Sequence, residues 1–98
     1  MLHIVNKSPL AAPALASALR VANSGAVLLI EDAVYAATHG NAAAPTIEAA
    51  VAERPVYALL PDLEARGVAD RVIEGVKTID YAGFVDLVAE YRTCQSWL

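Results

Sequence analysis

Three short apolar runs set the fold: LHIV (2–5), AVLLI (26–30) and VYALL (56–60). Each breaks off abruptly at polar or turn-forming residues: NKSP, Glu31-Asp32 and Pro61-Asp62. The second and third are continuous apolar runs, the composition of strands covered on both faces, as in a parallel sheet. Between the runs, apolar residues recur at helical spacing. Leu15, Ala18, Leu19 and Ala22 form one such stripe, and Ile47, Ala50 and Val51 a shorter one. Phe84, Leu87, Val88 and Tyr91 form the last. Short apolar strands alternating with amphipathic helices predict an α/β fold, a mainly parallel sheet of four to five strands flanked by helices.

The punctuation supports this division. Gly25 can take the left-handed conformation that ends a helix. AVYAAT (33–38) reads as a short helix stopped by His39-Gly40-Asn41. Pro45 or Thr46 marks the start of the next helix, and Arg54-Pro55 its end. Asp62 is placed to cap a short helix, LEAR, before Gly67. KTI (77–79) is a weak fourth strand, and Asp80 is the expected N-cap of the last helix. Residues 68–76 carry no clear pattern.

No linker, repeat or low-complexity tract interrupts the 98 residues, so residues 1–98 read as a single small domain. The net charge is −4 and the seven Lys and Arg residues are scattered. Direct binding to nucleic acid or to an anionic membrane needs a basic footprint, so neither is expected. No apolar run approaches the ~20 residues of a membrane span. LAAPALASALRVA (10–22) imitates a signal peptide, with Ala16-Ser17-Ala18 as an A-x-A-like site. Cleavage there would remove the first strand, so the segment reads as an amphipathic helix and the protein as cytoplasmic. At 57% hydrophobic residues, though many are alanine, the chain has apolar surface to offer a partner or an alanine-rich helix surface.

Few residues suggest chemistry. NKSPL lacks the glycines of a phosphate-binding loop, so no nucleotide cofactor is expected. His3 lies in a strand and His39 in a loop, without zinc-ligand spacing, so no metal is expected. No G-x-S-x-G elbow occurs. Asn6, Glu31 and Asp32 fall at carboxyl ends of strands, where open α/β sheets bind ligands. They make a candidate strand-end cleft; the alternative is that Asp32 caps the following helix while Glu31 faces water. Asp62 also follows a strand, but a receiver-type phosphoacceptor site would need a lysine at a strand end, and Lys77 stands at a strand start.

The ending RTCQSWL (92–98) holds the only cysteine, Cys94, and the only tryptophan, Trp97. One cysteine forms no internal disulfide. Cys94 follows the last helix, whose carbonyl end carries partial negative charge and disfavours a thiolate. It is a candidate thiol, but a bystander or interface role fits better. Trp97 and Leu98 read as a tail and a candidate interface, whose large ring seeks a pocket on a partner; the alternative is that the tail docks on this chain.

Several pieces together resemble the DsrH/TusB family of sulfur-relay proteins: LHIVNKSP, LLIEDAVYAA, VYALLPDLEARG, IDYAGFVDL and QSWL, in that order. The resemblance spans nearly the whole chain. It implies a compact fold of the DsrEFH type, with flavodoxin-like layering. It also implies assembly with DsrE/TusD-like and DsrF/TusC-like subunits into a heterohexamer that hands on persulfide sulfur. The destination would be tRNA wobble-uridine 2-thiolation or dissimilatory sulfur oxidation. In the family the acceptor cysteine belongs to the DsrE/TusD subunit. Some DsrH-like members carry a cysteine on the first helix, where this chain has Ala18. The expected role is therefore a non-catalytic subunit of a sulfurtransferase complex, without cofactor and not an enzyme by itself. Two alternatives stand beside it: a direct persulfide carrier using Cys94, and a homo-oligomeric module binding a small anion near Asn6 and Glu31.

Overall fold

A computed structural model describes residues 1–8, 15, 19 and 25–97. Its centre is a five-stranded sheet in which every pairing is parallel. The strands are β1 (Leu2–Val5), β2 (Ala26–Leu29), β3 (Val56–Leu59), β4 (Lys77–Ile79) and β5 (Cys94–Trp97). Their spatial order is β4-β3-β2-β1-β5. The chain steps from β1 to β4 in one direction, then returns across the sheet to lay β5 on the far side of β1. Parallel neighbours require crossover connections, and the helices supply them.

The continuous apolar runs mark the central strands, as their composition predicts. All four residues of β2 are fully buried. Two cores result, one on each face of the sheet. The larger gathers Val5, Val27, Leu29, Val56 and Ala58 with Leu15, Val34, Ile47 and Leu63 from the helical segments. The smaller joins Leu2, Ala26 and Leu28 to Leu87.

Helix α1 (Ala44–Glu53) starts with Pro45 in its first turn, where the missing N–H costs nothing. Helix α2 (Leu60–Ala65) follows β3 without a loop, so the VYALL strand ends one residue early. Gly67, at φ +68°, closes α2, with the Val68 N–H donating to the Leu63 carbonyl at 3.0 Å. Helix α3 (Tyr81–Glu90) is capped as expected, with Asp80 Oδ1 accepting from the Gly83 N–H at 2.8 Å. Leu15 and Leu19 are helical; Ala18 and Ala22 of the first stripe lie outside the described residues.

Three local expectations are corrected. The short helix expected over 33–38 is a 3₁₀ helix that starts two residues earlier, spanning Glu31–Ala37. Its buried residues are Ala33, Val34, Ala36 and Ala37, two ridges at a spacing of three, which suits a three-residue turn. Asp32 does not cap this helix, whose N-cap residue is Ile30. Val88 belongs to the outer surface, at 40% exposure, rather than to the inward stripe of α3.

Residues 68–76 form a 3₁₀ turn (Ala69–Arg71) and an isolated antiparallel bridge from Thr38 to Val72. Gly25 (φ +95°) permits a close crossing of two backbones. A Cβ there would sit 2.0 Å from the Met1 carbonyl oxygen, which accepts the Ala26 N–H at 3.2 Å.

Candidate functional site

The carboxyl ends of β1, β2 and β3 deliver Asn6, Glu31-Asp32 and Asp62 to one rim of the sheet. The Ile30 N–H donates to the Val5 carbonyl at 3.0 Å, which holds the first two ends side by side. Glu31 is the only described non-glycine residue with positive φ, at 52°. That conformation aims its N–H at Asp62 Oδ2, 2.7 Å away. The short, charge-assisted bond offsets the backbone strain.

Asp62 was a candidate helix cap; it lies inside the first turn of α2 and serves the neighbouring strand end instead. Arg66, one helical turn later, joins the two carboxylates. Its Nε and Nη2 both lie 3.0 Å from Asp32 Oδ1. Its Nη1 donates to the Asp62 carbonyl at 3.3 Å and stands 3.9 Å from Asp62 Oδ1. Asp32 and Asp62 are thereby tied through one guanidinium into a charged network bracing the rim. Arg66 was missed in the sequence, although its i, i+4 spacing from Asp62 was a legible signal.

Beside this network a cleft of about 380 Å³ is lined by Ser8, Asp32, Tyr35, Thr38 and Asn41. Asn41 builds its far wall. Its side-chain amide donates to the carbonyls of Tyr35, Ala36 and Thr38, and its Oδ1 accepts the Ala43 N–H at 2.6 Å. Thr38 Oγ1 donates to the Tyr35 carbonyl at 2.7 Å. Asn6 keeps its Oδ1 buried, with no hydrogen-bond partner among the described residues. The wall thus spends most of its polar groups on its own backbone.

The last residues are strand, not tail. β5 pairs with β1 in the register Leu2↔Cys94 through Val5↔Trp97. Trp97 therefore stands at the same rim as Asn6, and its ring packs against the larger core. Its Nε1–H donates to Nδ1 of buried His3 at 3.2 Å. Leu98 lies outside the described residues. Cys94 opens β5 and is exposed. With ~3.3 Å of rise per residue, it sits about 10 Å down the sheet from the cleft rim. The structure brings Asn6, Glu31, Asp32 and Trp97 to one edge and leaves Cys94 at the opposite one.

Comparison with known proteins sets these features in a lineage. Residues 7–94 match the family model described as DsrH like protein. Protein TusB of Escherichia coli O81 (strain ED1a) is 36% identical over 98 residues, covering 99% of this chain and all of that protein. Protein TusB of Photorhabdus laumondii is 33% identical over 97 residues, again across 99% and 100% of the two chains. The chain belongs to the DsrH/TusB family. Among solved structures, the YchN protein of E. coli superposes with a TM-score of 0.85 at 20% identity, covering 97% of each chain. A protein of unknown function from Methanobacterium thermoautotrophicum superposes at 0.73 and 16% identity, over 97% and 95%. At those identities the two structures share the fold with the DsrH/TusB chain. Among its described residues, no helix is long and apolar enough to cross a membrane.

Proposed function

We propose that this chain is a non-catalytic subunit of a sulfur-relay complex, assembling with DsrE/TusD-like and DsrF/TusC-like chains as a heterohexamer. Its end-to-end match to TusB proteins and to the DsrH family model carries this reading. The position of Cys94 supports it. In a relay step the acceptor thiolate attacks the outer sulfur of a donor persulfide, the donor's S–S bond breaks, and the donor leaves as a thiolate. Such an acceptor needs groups that hold it as thiolate and a recess that shields the product. Cys94 has an edge strand with exposed neighbours, Gln95 and Ser96, and lies far from the rim cleft. The sulfur-bearing thiol is then a sister subunit's, and the relay serves tRNA thiolation or sulfur oxidation.

The exposure of Cys94 favours one competitor, direct persulfide carriage on that residue. Mass spectrometry separates the two. After incubation with a persulfide donor, the chain within its complex should show no adduct of about 32 Da on Cys94. A stoichiometric adduct that passes its sulfur onward would establish the competitor. Co-expression with both sister chains, followed by gel filtration, tests assembly itself; a monomer indifferent to both would overturn the subunit reading.

A further inference from the structure

Helix α3 has more apolar surface than its own chain uses. Tyr81, Ala82, Phe84, Val85, Leu87, Val88 and Ala89 are seven of its ten residues, yet only Leu87 is buried. A helix apolar on nearly every side belongs inside a structure rather than on its surface. The inward stripe of Phe84, Leu87 and Tyr91 meets the smaller core. The outward stripe is Tyr81, Val85 and Val88, spaced i, i+4, i+7 and exposed by 60%, 66% and 40%.

The margins of that stripe describe what would cover it. At 3.6 residues per turn, Ala82 and Ala89 border Val85 on one side, and Asp86 and Glu90 lie beyond them. All four are exposed. The small alanines allow another helix to approach closely. The two carboxylates form an acidic flank, and α3 carries no basic residue. A second copy of this chain is a poor occupant, because antiparallel self-packing of α3 sets acidic flank against acidic flank. The chain's −4 net charge adds to that repulsion.

We infer that the outer face of α3 is a docking surface for a helix of a different chain, one with an apolar stripe bordered on one side by Lys or Arg. This rests on the subunit reading above, and the occupant is one of the two sister chains.

The test is co-expression of the full chain with the DsrE/TusD-like and DsrF/TusC-like chains of its own organism, with affinity read by titration. Val85→Glu and the pair Asp86→Lys/Glu90→Lys alter exposed positions, and circular dichroism should show both folded. Each is expected to weaken assembly at least tenfold. Assembly unchanged in both variants would overturn the docking surface while leaving the subunit reading intact. Loss in Val85→Glu but not in the charge-reversed pair would overturn the basic-flanked occupant. Failure of the wild-type chain to bind either sister chain would overturn both readings. Self-association of the chain alone, abolished by Val85→Glu, would make a second copy the occupant and overturn this inference.

Discussion

At the scale of residues, the most constrained position is Gly25. Any side chain there meets the Met1 carbonyl and must also adopt a positive φ. Gly25→Ala is expected to cost about 2–4 kcal/mol, combining backbone strain with a forced separation of β1 and β2. Thermal denaturation reads this directly; an unchanged Tm would mean that the crossing is looser than described. Asp62 illustrates a different constraint. Asp62→Ala removes the acceptor for the Glu31 N–H and one support of Arg66. It should cost on the order of 1–2 kcal/mol and speed hydrogen exchange at the Glu31 amide, whereas Glu31→Gln should do neither. Tyr91 adds a pH dependence. Burial, then the nearby Tyr57 and Glu90, push its phenol above the usual value of 10.0. The unfolded chain therefore ionises first. The stability Tyr91 contributes is complete below pH 10 and declines as pH rises through the folded value. Urea midpoints across that range should fall less steeply in Tyr91→Phe than in wild type.

At the scale of elements, legibility followed burial. The central strands read correctly because continuous apolar runs have few other uses. The Asp80 cap of α3 was visible because an Asp before an apolar helical stripe has a specific local job. β5 was not visible. CQSW is short, polar and exposed on three of its four residues, so no periodicity marks it. It is a strand because Trp97 anchors it, through packing on the larger core and its bond to His3. The bond to His3 joins residues 94 positions apart, beyond the reach of local pattern. Trp97→Ala is accordingly expected to cost about 2–3 kcal/mol and release β5, and Trp97→Phe less. Protection of the β1 and β5 amides against exchange checks this. The short helix after β2 was legible, but its start at Glu31 and its 3₁₀ winding were not, because a buried spacing of three over a few alanines differs little from the start of an α-helical stripe. At the rim, Glu31 and Asp32 were legible as strand-end residues, but the ties of Asp32 to Arg66 and of the Glu31 N–H to Asp62 needed the fold.

At the scale of the whole molecule, two observations point the same way. Among the described residues the sheet is covered well on one face and thinly on the other, where α3 turns apolar residues outward. The chain's one thiol lies on an exposed edge strand, away from the recess at the strand ends. Apolar contact area is therefore what this chain has most of to offer an assembly. Sulfur transfer through the reconstituted complex carrying Cys94→Ser tests that claim most directly, with gel filtration confirming that all three kinds of subunit are present. Transfer at the wild-type rate is expected. Loss of transfer in a complex of normal composition would contradict it.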